Sequence, residues 1–486
     1  MDSAVLHTLL PHFILAGGAI ALLMGGVFAT AGERTGRGVS WLAIGLLVAA
    51  LVAMFAQSGS VTLFEGALIS NAMTRFLNIL ILVAAAMSLL LTFDDFGRAR
   101  LMVFEYPVLV VLATLGMLLM VSANDLIALY LGLEMQNLAL YVITAFKRDN
   151  VRSSEAGLKY FVLSALASGL VLYGASLIYG VTGSTGYAQI AAAAAAPEMM
   201  SNIGLTAGLV FVLVGLAFKI SAVPFHMWTP DVYQGAPTPV TAFLASAAKV
   251  AAMALVIRFV QVALPGISGQ WQQIIIFVSI ASMALGAFAA IGQTNIKRLF
   301  AYSAIGNIGF ALVGLAANSP EGTAGVLIYL AIYVVMTLGA FACVLSMRRE
   351  GGQVEDISDL AGLASRDLPF ASVLALLMFS LAGIPPLAGF WAKWYTFLPA
   401  IQAGLYPLAV IGVVTSVVGA FYYLRIIKIM FFDEPAEAFV PRETKASAVM
   451  MLSAVFVLAF VLPMIGGHLV DAATAAAAAL TSAPGR

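Results

Sequence analysis

Residues 218–243 read FKISAVPFHMWTPDVYQGAPTPVTAF, a stretch that holds a lysine, a histidine, an aspartate and four prolines. The stretch lies in a chain of 486 residues, of which 62% are hydrophobic and only 9% are charged. Titratable side chains and helix-breaking prolines are costly in such an apolar chain. Their occurrence together is the feature that an assignment of fold and function has to explain.

The composition predicts an all-α, polytopic membrane protein. Mean hydropathy is +1.03, whereas soluble domains carry about a quarter of their residues as charges. Because a bilayer core about 30 Å thick needs roughly 20 apolar residues per helix, the long apolar runs provide many spans. A β-barrel would instead show short alternating segments. No soluble domain is visible in the pattern.

Several functional classes are excluded by the same counts. The net charge is zero, which gives no reason to expect a nucleic-acid partner. A single cysteine, Cys343, cannot form a disulfide within the chain and argues against a thiolate-ligated cluster. The four histidines show no haem or metal spacing, and no glycine-rich phosphate loop precedes a helix. We therefore expect no redox cofactor, nucleotide or metal on this chain.

The apolar runs predict 14 membrane spans. The predicted spans are 10–30, 40–56, 72–91, 106–121, 125–146, 155–181, 203–227, 239–263, 272–291, 294–315, 322–347, 368–397, 405–429 and 447–465. The first is interpreted as a retained helix, because no basic residue precedes it as in a signal peptide. The tail after Asp471 is low in complexity, and we expect it to be peripheral.

Positive charge alternates along the chain in a way that fits this count. Lysine and arginine favour cytoplasmic loops, and they cluster after odd-numbered spans. The residues concerned are Arg34, Arg37, Arg98, Arg100, Lys147, Arg148, Arg152, Lys297, Arg298, Arg348, Arg349, Arg366, Arg442 and Lys445. Loops after even-numbered spans contain almost none. The pattern predicts that both termini lie on the periplasmic side of a bacterial inner membrane.

An internal repeat is indicated by two broken spans. AFKISAVPF (217–225) and MFSLAGIPP (378–386) each place a serine before a proline in the middle of a predicted membrane helix. The two helices are the seventh and the twelfth, and since they are five apart, the two halves would be inverted. Inverted repeats with broken helices near the membrane midplane are a transporter design.

Among the ionisable side chains inside predicted spans, five are candidates for a functional role: Glu134, Lys159, Lys219, Lys249 and Lys393. A charge at membrane depth costs at least ~2.5–3.5 kcal/mol, so such residues are rarely without a role. Lysine can lose a proton when it is desolvated, whereas arginine cannot. The pattern therefore indicates a path for protons rather than a set of fixed charges.

The prolines are consistent with such a path. Pro224 and the pair Pro385–Pro386 remove backbone donors and free carbonyl groups beside Lys219 and Lys393. Freed backbone groups at membrane depth are tolerated where protein or water satisfies them. Two unit charges 4 Å apart interact by ~4 kcal/mol at an effective dielectric of about 20. We therefore expect small movements of Glu134 relative to Lys219 to load or release a proton.

Other interpretations of these residues remain open. Lys159 and Lys393 could snorkel to the interface, and Glu134 could be a static partner for a lysine. His226 could cap the broken end of the seventh helix, and Asp231 is best interpreted as a turn or helix-cap residue. Three cations near helix ends are interpreted as anchors: Arg258, Arg425 and Lys428.

Three segments resemble a known family. FKISAVPFHMWTPDVYQGAPTPVTAFLASAAK (218–249), NIKRLFAYSAIGNIGF (295–310) and SLAGIPPLAGFWAKWYTF (380–397) are similar to the antiporter-like membrane subunits of respiratory complex I, above all those of the N type. The resemblance runs through nearly the whole chain. M-type chains usually carry glutamate where Lys393 stands, and L-type chains continue into a lateral helix.

The resemblance implies a role for each matching residue. Glu134 matches the glutamate that modulates the lysine at Lys219. Lys249 matches the central lysine, and Lys393 the lysine near the exit side. His226 matches the histidine in the break of the seventh helix. These residues would pass protons, and a sixth, Lys159, matches a lysine whose role in the family is less settled.

The resemblance also implies a fold and an assembly. The fold would have 14 helices in one transmembrane domain over residues 1–486: three helices in 1–104, inverted five-helix repeats in 105–265 and 270–432, and a last helix in 445–470. NADH, flavin, iron–sulfur clusters and quinone would bind to other subunits, and this chain would have no redox site of its own. The expected partners are the M subunit, small K/J-type subunits and membrane lipids.

Two other functions remain possible at this point. The chain could be a subunit of a multisubunit cation/proton antiporter, which needs no NADH or quinone partner. It could also be a structural subunit of the membrane arm that moves no protons.

Overall fold

A computed structural model describes residues 3–30, 32–442 and 444–481, most of which are helical. The helices are α1 (Ser3–Phe28), α2 (Glu33–Phe55), α3 (Ala72–Ala99), α4 (Glu105–Ser122), α5 (Leu126–Thr144), α6 (Val151–Thr182), α7 (Tyr187–Ala194), α8 (Ile203–Lys219), α9 (Thr229–Gly235), α10 (Thr238–Ala245), α11 (Ala247–Arg258), α12 (Ser268–Ile291), α13 (Ile296–Ala316), α14 (Pro320–Ser346), α15 (Leu363–Arg366), α16 (Leu368–Ala382), α17 (Ala388–Gln402), α18 (Tyr406–Phe432), α19 (Thr444–Ala459) and α20 (His468–Thr481). Two short antiparallel hairpins pair β1 (Val61–Leu63) with β2 (Leu68–Ser70) and β3 (Arg348–Arg349) with β4 (Gly352–Gln353).

Many of these helices can cross a membrane. Within the described ranges, 11 are long and apolar enough, with α10 and α11 counted as one, and the number is 12 if the bent pair of α19 and α20 is included. Two further apolar helices, α8 and α16, are shorter. The prediction of an all-α, polytopic membrane protein is thus confirmed.

Burial divides the helices into a centre and a periphery. All residues in the apolar window of Thr238–Ala263 are buried, and 94% are buried in those of α13 and α14. The corresponding share is only 28% in α1 and 33% in α6 and α18, whose outward faces carry large apolar side chains. A helix that is apolar all round belongs in the interior of a bundle. The central helices are therefore α10, α11, α13 and α14.

Both predicted proline breaks are present. The seventh span is not one helix over 203–227, because α8 ends at Lys219 and α9 begins only at Thr229. The twelfth is not continuous over 368–397 either, since α16 ends at Ala382 and α17 begins at Ala388. Proline lacks an N–H donor and disfavours the helical conformation in the residue before it. These two effects of proline explain why the helix is interrupted near Pro224 and near Pro385–Pro386.

Two expectations about the helices were wrong. The eighth span, predicted as one helix over 239–263, is interrupted at Ser246, where φ is −111° and ψ is −84°. The tail was expected to be peripheral, but α20 packs against α3 and α14 and buries Ala473, Ala476 and Leu480. The predicted last helix over 447–465 is α19, and α20 follows at an angle of 97°. Alanine is the best helix former, so the alanine-rich tail continues as a helix once it finds a surface to pack on.

A buried carboxylate joins distant parts of the chain at one end of the bundle. Asp95, near the end of α3, has 2% of its side chain exposed. Its two oxygens lie 3.3 Å from Nζ of Lys147 and 3.5 Å from Nη1 of Arg348. The ion pairs tie α3 to the segment after α5 and to the hairpin after α14.

Candidate functional site

The first part of the site links Glu134 to Lys219 through an amide. Lys219 is the last residue of α8, and only 6% of it is exposed. Its Nζ donates to Oδ1 of Asn137 at 2.8 Å, and Nδ2 of Asn137 donates to Oε1 of Glu134 at 3.1 Å. The bond network of these described residues thus runs from the carboxylate to the ammonium through Asn137. A change of charge at Glu134 can therefore reach Lys219 through one side chain.

Hydroxyl groups of α6 complete the pocket of this lysine. Nζ of Lys219 also donates to Oγ of Ser164, which accepts a second bond from Oη of Tyr141 at 2.7 Å. Ser168, one turn further along α6, accepts from the Asn137 amide at 3.3 Å. A buried ammonium group needs polar partners of this kind, since an isolated charge in an apolar interior is very unfavourable.

The break after α8 provides the partners of the second lysine. Lys249 on α11 is 1% exposed, and its Nζ donates to Oγ of Ser221, which also accepts from Oγ1 of Thr229 at 2.7 Å. Ser221 has a φ of +62°, a left-handed conformation that is uncommon for residues other than glycine. The Ser221 hydroxyl thus accepts the hydrogen bond of Lys249 from a non-helical stretch of backbone. A regular helix through residue 221 would not have the same backbone direction.

His226 also lies in this break, where its side chain is half-buried. Its backbone carbonyl accepts from the amide of Thr229 at 2.9 Å. The N-cap of α9 is Trp228, and no side chain makes a capping bond there. The His226 imidazole therefore does not cap the start of α9.

The second break surrounds Lys393. This residue is 8% exposed, and its Nζ donates to the carbonyl of Ala382 at 2.9 Å and to Oγ of Ser416 at 2.7 Å. Ala382 is the last residue of α16, so the lysine binds a carbonyl near the break. The ring centroid of Phe310 lies 4.6 Å from the ammonium. Lys393 therefore binds inside the bundle and does not snorkel.

A polar cluster beside Lys393 had no counterpart in the sequence prediction. Oη of Tyr329 donates to Oδ1 of Asn307 at 2.6 Å, and Nδ2 of Asn307 donates to Oγ of Ser303 at 3.2 Å. The Ser303 hydroxyl in turn bonds to Oη of Tyr423. A cavity of about 10 Å³ is lined by Lys393 and three members of this cluster, which is close to the ~10–15 Å³ that one water needs.

Lys159 belongs to a separate, more exposed group. Its side chain is 41% exposed, and its Nζ lies 2.7 Å from both Glu155 and Asp231. Asp231 also pairs with Arg298 at 2.7 Å. We expected a turn or cap role for Asp231, but the residue lies in the first turn of α9 and joins that helix to α6 and α13. Exposed pairs of this kind contribute only about 0–1 kcal/mol to stability.

Two buried cations have structural partners that the sequence did not reveal. Nζ of Lys297 donates to the carbonyls of Gln234 at 2.9 Å and Ala236 at 2.8 Å, which lie at the end of α9. Arg258 donates to the carbonyl of Ala123 at 2.8 Å. The interpretation of Arg258 as a membrane anchor is wrong, because its side chain is fully buried. Its position at a helix end had suggested the interface.

Comparison with known proteins agrees with this architecture. Residues 123–419 match the family described as NADH:quinone oxidoreductase/Mrp antiporter. The chain is 59% identical over 452 residues to "NADH-quinone oxidoreductase subunit N" of Parvibaculum lavamentivorans, covering 93% of each chain. The chain belongs to this subunit N family. A similarly named protein of Rhizobium meliloti is 57% identical and covers 98% of each chain.

Solved structures support the same assignment. A chain of respiratory complex I from Thermus thermophilus is 34% identical, with a TM-score of 0.81 and coverage of 96% of this chain and 99% of that one. A chain of the Mrp complex from Dietzia has a TM-score of 0.85 over 99% and 98% of the two chains, but it is only 23% identical and shows the fold alone. The protein is thus an antiporter-like membrane subunit of NADH–quinone oxidoreductase, as the sequence resemblance implied.

Proposed function

We propose that this subunit translocates protons through Lys219, His226 and Lys249 to Lys393, with Glu134 biasing the first lysine. The observation that carries the proposal is the bond network in which Asn137 joins the buried ammonium of Lys219 to Glu134. Each of the three lysines on the path is buried, and each binds a hydroxyl group. Groups of this kind can give up and accept protons, which fixed arginines cannot do.

Electrostatic coupling between neighbouring groups would drive the transfer. Doubling the distance of a charge pair from 4 to 8 Å halves an attraction of ~4 kcal/mol at an effective dielectric of about 20. The difference is ~2 kcal/mol. Because Asn137 lies between the two charges, a rotation of its amide is enough to weaken or restore the link. Protons would then move on as the next lysine becomes the better acceptor.

The finer topology is part of the proposal. We count each interrupted helix as one span, namely α8 with α9, α10 with α11, α16 with α17, and α19 with α20. With the short helices α7 and α15 left out, this gives 14 spans. Residues 105–265 and 270–432 would be inverted five-helix repeats, supported by proline breaks at Pro224 and Pro385–Pro386. Both termini would lie on the periplasmic side of the bacterial inner membrane, as the alternation of basic loops indicates.

The assembly is inferred from surface chemistry and from the family. Glu134 is only half-buried, on a face of α5 that also exposes Leu131 and Leu138. A carboxylate at membrane depth is not expected to face lipid, so a neighbouring subunit would cover this face. The neighbours would be the M subunit and small K/J-type subunits, with lipids elsewhere. NADH, flavin, iron–sulfur clusters and quinone would be bound by other subunits.

Replacement of Lys219 by alanine in the assembled complex tests the proposal. Proton translocation and coupled quinone reduction should both fall while the complex remains intact, because the path loses its first acceptor. Lys428→Ala is the matched control, since that lysine is 64% exposed and pairs with Asp433. Full pumping in the Lys219 variant would favour a purely structural subunit.

A further inference from the structure

Trp228 lies in the break between α8 and α9 and closes the end of α8. Its buried indole donates through Nε1 to the carbonyl of Phe218 at 2.9 Å. The same carbonyl accepts from the amide of Ser221 at 3.0 Å, so two donors share the group that precedes Lys219 in the chain. Residues after the break are thereby attached to the turn that carries the first lysine.

The ring of the same tryptophan contacts the second lysine. Nζ of Lys249 lies 5.2 Å from the ring centroid, within the ~6 Å over which an aromatic face attracts a cation. The ring packs against Tyr160, with centroids 4.8 Å apart, and against Phe218 at 5.6 Å. These neighbours leave the indole little freedom to turn away from the ammonium.

A second contact comes from the next residue in the chain. Thr229 donates through Oγ1 to Ser221 at 2.7 Å, and Ser221 accepts the bond from Lys249. The N-cap and the first residue of α9 thus hold the ammonium, Trp228 directly through its ring and Thr229 through the Ser221 hydroxyl. A shift of α9 relative to α8 changes both contacts together.

We propose that Trp228 is a positioning residue that couples Lys249 to the end of α8 that carries Lys219. The indole fixes the geometry between the two sites, and its ring contacts the ammonium of Lys249 at its place beside Ser221. A displacement at Lys219 is then transmitted to Lys249 by a rigid side chain. The inference rests on the proton path proposed above and adds a residue that does not itself carry a proton.

Trp271 is a control for a purely structural role of Trp228. That residue is also fully buried, and its Nε1 donates to the carbonyl of Leu264 at 3.1 Å. Among the residues that the structure describes, no lysine or arginine lies over the ring of Trp271. Trp271→Leu therefore removes an equivalent buried indole and its hydrogen bond without a contact to the lysine path.

A double-mutant cycle in the assembled, reconstituted complex tests the inference. The variants are Trp228→Leu, Lys249→Met, their combination, and Trp271→Leu with and without Lys249→Met. Loss of a cation–aromatic contact in a dry site corresponds to about thirtyfold in the equilibrium it supports. We expect Trp228→Leu to lower the number of protons moved per quinone reduced, and to have no further effect when Lys249 is already Met. Any effect of Trp271→Leu should instead be the same in both backgrounds.

Conservative variants make the test independent of folding. Trp228→Phe keeps an aromatic face for Lys249 but lacks the Nε1–H donor to Phe218, and it should lose part of the pumping. Trp228→Met keeps neither contact and should lose more. Equal losses of pumping in the Phe and Met variants would overturn the positioning role. Independent effects of Trp228→Leu and Lys249→Met in the cycle would overturn it as well. If Lys249→Met leaves pumping unchanged, the proposed path is wrong as well, and this outcome separates the two failures.

Discussion

Gly383→Ala is the sharpest test of the environment of Lys393. Gly383 caps the C-terminal end of α16 with a φ of +87°, and a Cβ atom there would lie 2.9 Å from Nζ and 3.0 Å from Cδ of Lys393. Relief to an ordinary contact of 3.4 Å requires the ammonium to retreat by about 0.5 Å. The retreat lengthens the bonds to Ala382 and Ser416, which now measure 2.9 and 2.7 Å.

The expected magnitude follows from these two bonds. A hydrogen bond to a charged group contributes ~1.5–3 kcal/mol, so full loss of one would lower the population of the present Lys393 arrangement by roughly ten- to a hundredfold. Bonds that are lengthened by about 0.5 Å are weakened, and this value is the upper limit of the effect. The left-handed backbone adds ~1–2 kcal/mol of destabilisation for any residue with a Cβ atom. Two effects are therefore combined in Gly383→Ala, one on stability and one on the lysine.

Gly404→Ala separates the two effects. Gly404 also has a positive φ, +77°, but a Cβ atom there meets nothing within 4 Å. Both variants should lower the thermal stability of the complex similarly, and only Gly383→Ala should reduce protons translocated per quinone reduced in proteoliposomes. Equal pumping by the two variants would refute the reasoning, because the lysine would then be insensitive to its immediate partners.

Three further outcomes are expected. Asn137→Leu should uncouple quinone reduction from pumping while the complex assembles, because the link from carboxylate to ammonium is lost; unchanged pumping would show that the amide is not needed. Lys297→Met should destabilise the complex by ~3 kcal/mol or more, measured by thermal unfolding, since buried carbonyls lose their donor. The control Lys428→Met, at an exposed site, should change stability by less than ~0.5 kcal/mol. Equal losses of stability in the Lys297 and Lys428 variants would contradict the prediction. Asp231→Asn should cost no more than ~1 kcal/mol per ion pair in the same assay, less at high salt, and a larger, salt-independent loss would contradict the assignment as a surface group.

The features that sequence predicted well are those with a local physical cause. Apolar length predicted the spanning helices, and proline chemistry predicted that the helices carrying Lys219 and Lys393 are broken. Depth in the apolar pattern identified these two lysines and Lys249 as buried. Each of these inferences needs only a short window of residues, because hydropathy and backbone donors are local properties.

The features that were missed depend on contacts across the chain. Asn137 is an ordinary polar residue until α8 brings Lys219 against it, 82 positions later. The interruption at Ser246 has no proline or glycine in it, so tertiary packing rather than local preference sets it. Asp231 follows Pro230 in a typical turn sequence, yet its carboxylate is paired by cations from two other helices. Such pairings are fixed by the fold and leave no periodic signal.

The pairing at Asp95 has a consequence for how the chain is made. Lys147 follows this aspartate by 52 positions and Arg348 by 253. At a synthesis rate of ~5–20 residues per second, the ribosome adds the second cation roughly 10–40 s after the first. During that interval Asp95 of the nascent chain has only Lys147 as a counter-charge. The ion pair with Arg348, which joins α3 to the hairpin after α14, forms only once that hairpin has been synthesised.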